Sequence, residues 1–191
     1  GGRPQSGGLP DARQLTRPVG EVRLERLDDR WLDDVADLVA DPDVLRFTRI
    51  AEPPPEGFAR TWIGAYEAAR RDGSREAFAA LDGDGRFIGL GLAPEIDRAA
   101  GELELGYIVA RGARGRGVAT RILRLLTRWA FEELGAQRVY LIIDVENHAS
   151  ERVAERCGYQ REGVMRSIHV KQDRRADAGL WSRLPGDPGP L

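Results

Sequence analysis

The chain has a single cysteine, Cys157, and only two histidines, His148 and His169. An internal disulfide and a cysteine-built zinc site are therefore excluded, and imidazole chemistry has only two residues to work with. No apolar run approaches the roughly 18 to 20 residues of a membrane span, and the opening GGRPQSGGLPDAR lacks the apolar centre of a signal peptide. Net charge is also lacking: Lys+Arg at 29 against Asp+Glu at 31 leaves −2, with no overall basic field to recruit nucleic acid or an anionic membrane. A soluble, cytoplasmic protein is expected, and any anion site in it must be local.

What is present supports one core. With 191 residues, 41% of them hydrophobic, one domain over 19–184 is expected, with a disordered Gly/Pro/Arg-rich leader over 1–18 and a loose tail over 185–191. EVRLERL (21–27) alternates like a half-buried strand. Asp28 or Asp29 caps a helix carrying Trp31, Leu32, Val35, Leu38 and Val39, stopped by Asp41-Pro42. A second helix after the prolines at 53–55 presents Phe58, Trp62, Ile63, Tyr66 and Ala69, and ends at Asp72-Gly73. EAFAALD and RFIGLGLAPEI flank an Asp-Gly-Asp-Gly turn as a hairpin, and ELELGYIV (102–109) follows as a strand. Helical spacing of Val118, Ile122, Leu125, Leu126, Trp129 and Ala130 precedes the buried strand RVYLIIDV (138–145), which implies a parallel crossover. A helix over 150–157 closes on Gly158. Strands around 164–171 and 178–184 complete the chain.

Within this order, RGARGRGVATRIL (111–123) places four arginines and three glycines between a strand and a helix start. Unpaired N–H groups and the positive helix end make an anion site there, and Gly115 and Gly117 remove side chains from its surface. A polyphosphate suits it. A nucleoside-triphosphate loop would need a lysine that this loop lacks, and a dinucleotide loop would need a different glycine spacing early in a parallel sheet.

The spacing Arg114-x-x-Gly117-x-Ala119 resembles the pyrophosphate loop of the GNAT superfamily of N-acetyltransferases. Downstream, WAFEELGAQRVYLIIDVENHASERVAERCGYQREGVMRS is similar to a conserved block of the subfamily that includes the ribosomal-protein N-terminal alanine acetyltransferases. RLERLDDRWLDDVADLVADPDVLRF and GRFIGLGL resemble its opening strand, helix and first hairpin, so the likeness spans about 20–184. It implies a mixed α/β fold with a mostly antiparallel sheet flanked by helices and splayed between ELELGYIV and RVYLIIDV.

The resemblance also implies acetyl-coenzyme A as co-substrate, with no metal. Arg114, Gly115, Arg116, Gly117, Val118, Ala119 and Thr120 would hold its phosphates, and main chain near Ile108, Val109 and Ala110 its pantetheine arm. Asn147 would orient that arm and Ser150 would lie near the sulfur, although both residues are also natural helix caps. The acid tyrosine common in relatives falls at Ala154, leaving Ser150 or water to protonate the thiolate. Glu104 is the candidate base, with Glu102 on the same strand face, and Asp144 is the weaker alternative. A solvated Glu104 is the plain alternative to a catalytic one. His148, His169, Cys157 and Tyr159 are read as surface or packing residues.

The reaction so implied is direct acetyl transfer to a primary amine in a ternary complex. The resemblance implies a protein or peptide N-terminal α-amino group as the leading acceptor, and such a group, with a pKa of about 7.7 to 8, is easier to deprotonate than lysine at about 10.4. A small amine (antibiotic, polyamine or amino acid) and a non-catalytic acyl-coenzyme A sensor are the other readings. No nucleic acid or membrane partner is expected, and a homodimer is left open.

Overall fold

The computed structural model describes residues 14–19, 22–171 and 174–189. In chain order its elements are β1 (Gln14–Val19), β2 (Val22–Arg26), α1 (Leu32–Val39), α2 (Pro42–Phe47), α3 (Phe58–Asp72), β3 (Glu76–Leu81), β4 (Phe87–Asp97) and β5 (Glu102–Val109). They continue with α4 (Val118–Glu132), β6 (Arg138–Asp144), α5 (His148–Arg156), β7 (Gln160–Lys171) and β8 (Arg174–Arg183). The strands form one sheet in the order β1-β2-β3-β4-β5-β6-β8-β7. Every neighbouring pair is antiparallel except β5 and β6, as the strand–helix–strand order implies.

That parallel pair is short. Its register runs Glu102↔Arg138, Leu103↔Val139 and Glu104↔Tyr140 and then stops. Beyond Glu104 the strands part, so the expected splay is present and begins beside a carboxylate. Each face of the sheet has its own core. Leu103, Leu105, Val139 and Leu141 pack with Ile122, Leu126 and Trp129 of α4 on one face. On the other, Leu90 and Ile108 pack with Val35, Leu38, Ile63 and Tyr66 of α1 and α3. Gly91 permits the close approach of α4, because a Cβ there would lie 3.2 Å from Ile122 and Leu126 methyls.

Four expectations need correction. The disordered leader does not extend to residue 18, since Gln14–Val19 pairs with β2 at the sheet edge, where Pro18 falls within the register shift between Leu15 and Val19. The leader's other residues, 1–13, lie outside the described residues. Asp41-Pro42 ends one helix but also begins another: the Asp41 carboxylate accepts from the Asp43 N–H, and Pro42 occupies the first turn of α2. Helix α5 starts at His148, two residues earlier than expected, because Asn147 is its cap. The tail is not loose through Gly189, as the Arg183 guanidinium donates to the Gly189 carbonyl at 2.8 Å and the Leu184 N–H to Asp187 at 2.9 Å. Among the described residues no helix is long and apolar enough to cross a membrane.

Candidate active site

After β5 the chain makes a short turn at Arg111–Ala113 and then two left-handed steps, at Gly115 (φ 75°) and Gly117 (φ 74°), before α4 begins at Val118. The left-handed steps are strained for any residue with a Cβ, which fixes glycine at both places. A Cβ at Gly115 would meet nothing within 4 Å, and at Gly117 only the Arg121 guanidinium at 3.9 Å, so the loop surface is open. Gly117 has no side chain to cap α4, and the N–H groups of residues 115 to 120 find no acceptor among the described residues. Val118 is buried and anchors the helix start. The result is a row of main-chain donors at a helix N-terminus, able to bind phosphate oxygens.

The arginines divide differently from the expectation. Arg114 points back to the protein, donating to Asp41 at 2.7 Å, to Asp43 at 2.9 Å and to the Val109 carbonyl at 3.1 Å. Arg111 joins the same cluster at 3.0 Å from Asp41. The Arg111 hydrogen bond above all, with Arg114 adding its charge, holds the Asp41 carboxyl down at about 2. Arg116 donates to the Gly112 carbonyl at 2.7 Å and remains exposed on the loop.

At the splay, backbone polarity alternates along β5. The Ala110 N–H goes to the Ile88 carbonyl on the β4 side, which directs the Val109 N–H toward the gap, while the Val109 carbonyl is taken by Arg114. Gly89 lets β4 follow this register, because a Cβ there would collide with the Ile108 carbonyl. Beyond Glu104 no described strand pairs with the second edge of β5, leaving a free edge along Ile108, Val109 and Ala110 to which an extended chain can add.

Glu104 and Tyr107 stand on opposite faces of β5. Glu104 is on the α1–α3 face, only 7% exposed, with the Arg49 guanidinium 2.5 Å from its Oε1. Burial raises its carboxyl above the ordinary range, and Arg49 partly offsets that rise. It lies in register with Glu95 on one side and Tyr140 on the other, and the Tyr140 hydroxyl donates to Glu95 at 3.2 Å. The cleft beside it encloses about 580 Å³ and is lined by Arg49, Ser74, Arg75 and residues 94 to 98. Glu104 is thus not the solvated strand residue of the plain alternative. Glu102 is committed elsewhere, at 2.9 Å from Arg138.

On the α4–α5 face the Tyr107 hydroxyl donates to the Ser150 carbonyl at 3.5 Å. Asn147 caps α5, its Oδ1 accepting from the Ser150 N–H at 3.1 Å, and Asp144 orders the preceding turn by accepting from the Glu146 N–H at 2.9 Å. Ala154 is fully buried. Tyr107 is not among the residues singled out from the sequence. The signal that points to it is strand parity, since a residue three places after Glu104 faces the opposite side and so falls toward Ser150.

The remaining candidates pack or lie on the surface. Tyr159 shares a 2.7 Å hydrogen bond with Thr127 in the core, and His148 is exposed beside Glu151. Burial pushes the Cys157 thiol up to about 11, which leaves it protonated and unreactive near neutrality. Among the described residues no group of three His, Cys, Asp or Glu side chains is disposed to hold a metal.

Comparison with known proteins agrees with this geometry. The family described as an acetyltransferase (GNAT) domain matches residues 21–160. The spermidine N(1)-acetyltransferase of Escherichia coli (strain K12) is 29% identical over 144 residues, which is 75% of each chain. A Bacillus subtilis (strain 168) protein provisionally named a ribosomal N-acetyltransferase, YdaF, is 36% identical over 83 residues, covering 44% of this chain and less than half (45%) of its own. Among solved structures, the Vibrio cholerae spermidine N-acetyltransferase, in complex with CoA and spermine, superposes with a TM-score of 0.79 at 22% identity, covering 87% of this chain and 97% of that one. With a splayed sheet, a glycine-stepped loop at the start of α4 and a family match over most of its length, the chain belongs to the GNAT acetyltransferase family and is an acyltransferase.

Proposed function

We propose that the chain transfers acetyl from acetyl-coenzyme A directly to a primary amine, in the cytoplasm, and that the acceptor is the α-amino group of a protein or peptide. The observation that carries the reading is the buried Glu104 at the point where β5 and β6 part, beside a cleft large enough for an acceptor chain. The N–H groups of residues 115 to 120 receive the pyrophosphate, and the pantetheine arm adds along the free edge of β5. The carbonyl carbon then lies in the gap near Val109.

The chemistry follows from the groups on each side. The amine exchanges for Arg49 at Glu104 and gives up a proton to that carboxylate, directly or through water. Its nitrogen attacks the thioester carbonyl, and the Val109 N–H stabilises the oxygen that becomes negative. As the C–N bond forms the C–S bond breaks, and the thiolate takes a proton from the Tyr107 or Ser150 hydroxyl on the opposite face. Burial raises the Tyr107 hydroxyl above its ordinary range, so it is a donor at neutral pH.

The relatives named as spermidine acetyltransferases favour polyamine acetylation as a second reading. Calorimetric titration with acetyl-coenzyme A, followed by thiol release across a panel of peptides and polyamines, tests both. Binding with turnover on peptides is expected. Binding without turnover on any amine would leave the domain an acyl-coenzyme A sensor, and no binding would remove the proposal.

A further inference from the structure

The cleft beside Glu104 differs in charge from what a polyamine needs. Three guanidiniums, of Arg49, Arg75 and Arg98, line it against the carboxylates of Glu95, Asp97 and Glu104. Two of those carboxylates are hydrogen-bonded to neutral donors, Asp97 Oδ1 accepting from the Ala99 and Ala100 N–H groups at 2.9 Å each and Glu95 from the Tyr140 hydroxyl, so the cleft balances three positive against three negative groups rather than carrying the net negative charge a polyamine favours. Only Arg49 is matched to a carboxylate of the cleft, at 2.5 Å from Glu104.

Arg75 and Arg98 form no ion pair among the described residues, yet they are brought to one end of the cleft. The Ile96 N–H donates to the Ser74 carbonyl at 2.9 Å, which ties the end of β4 to the segment entering β3. The Arg98 guanidinium lies over Gly73, its Nε 3.2 Å from where a Cβ would stand, and so two residues from Arg75. Glu95 is Glu104's neighbour across the strands, and Arg98 is three residues further along the chain. At about 3.3 Å per strand residue, the Arg98 backbone stands roughly 10 Å along the chain from Glu95, just past the end of β4 at Asp97.

We infer that the acceptor is an amine carrying an anionic group that reaches the Arg75–Arg98 end of this cleft, and specifically a peptide N-terminus with an acidic residue at its second or third position. The inference rests on the acetyl-transfer reading above. The amine takes the place of Arg49 at Glu104 while the carboxylate pairs with Arg75 and Arg98. A polyamine threaded into the same cleft would instead set its remaining ammonium groups against two unpaired guanidiniums, a repulsive element that selects against it.

The test compares initial rates on Ala-Ala-Glu, Ala-Ala-Gln and Ala-Ala-Lys peptides of equal length and on spermidine, using the wild type and an Arg75→Glu/Arg98→Glu variant. Wild-type kcat/KM is expected to favour the glutamate peptide over the lysine peptide by about tenfold, through KM, with the preference shrinking as salt rises. The variant, which leaves Glu104 and the phosphate loop intact, is expected to reverse the order. Wild-type preference for spermidine or the lysine peptide, or a preference that survives charge reversal unchanged, would overturn the inference while sparing acetyl transfer. Coenzyme binding with no turnover on any of the four amines would remove the transferase reading and this inference together.

Discussion

The two halves of the candidate site are built by opposite means. The proposed phosphate loop is one continuous stretch of main chain, whose candidate recognition groups are N–H donors exposed by Gly115, Gly117 and an uncapped helix start. The proposed acceptor cleft is assembled from side chains of four separate segments, around 49, 74–75, 94–98 and 104, and its chemistry is ionic. A site made of backbone fails when something is added to it, whereas a site made of side chains fails when something is removed. That difference sorts the substitutions by the damage they do.

The largest effect is expected in the loop. Gly117→Glu forces a side chain into a left-handed step at a cost of about 1–2 kcal/mol and sets a carboxylate against the incoming phosphates. Titration should show affinity for acetyl-coenzyme A weakened at least about 100-fold, or roughly 3 kcal/mol. Nothing but the Arg121 guanidinium at 3.9 Å meets the added Cβ, so the fold should persist by circular dichroism. Retained binding would mean that the phosphates do not sit on this backbone.

The cleft should respond to loss of charge. Glu104→Gln keeps the shape and the contact with Arg49 but removes the base, and kcat should fall by about 100-fold or more with coenzyme affinity unchanged. In the wild type the raised Glu104 carboxyl requires that the rate climb as pH rises through a value above the ordinary carboxylate range, because only the ionised form accepts a proton. That limb should vanish in the variant. An unchanged profile would return Glu104 to a structural role.

The same contrast governs how much of each half is legible in the amino-acid sequence. The loop is legible because glycine spacing, the arginines and the helix start all lie within ten residues. Strands such as Glu102–Val109 and the long helices are legible from their periodicity. The partnership of Arg49 with Glu104 is not, because a span of 55 residues separates them and no local pattern links the two. Arg114 misleads for a related reason. Its position in the loop pattern suggests phosphate, but the guanidinium is held by Asp41 and Asp43, some 70 residues upstream, whose proximity arises only when α2 docks. Helix α2 itself is hidden by Asp41-Pro42, which serves as both a stop and a cap.

Between the two halves lies the gap, and Tyr107 tests whether both of its faces take part. Tyr107→Phe should lower kcat by about 10- to 100-fold without altering coenzyme affinity. A donor with a more acidic leaving thiol needs no protonation and should restore the rate. Equal loss with both donors would mark the hydroxyl as a support for α5 through the Ser150 carbonyl.

The smallest effect concerns the join between the halves, where Asp41 of the α1–α2 corner holds Arg111 and Arg114 of the loop. Its folded carboxyl sits at about 2, below its ordinary value of 3.8, so the ionised form is favoured by folding. The resulting stability is present in full above about pH 4 and is lost as pH falls through about 2, and at pH 7 it amounts to the order of 1–2 kcal/mol. Asp41→Asn should therefore lower the urea midpoint at pH 7, and the gap from wild type should close as the buffer is taken toward pH 2. Because the corner carries no part of the chemistry, coenzyme affinity should fall only as far as the loop loosens. A loss of affinity as large as that of Gly117→Glu would show that the backbone cradle depends on side chains after all, and the division between the two halves would not hold.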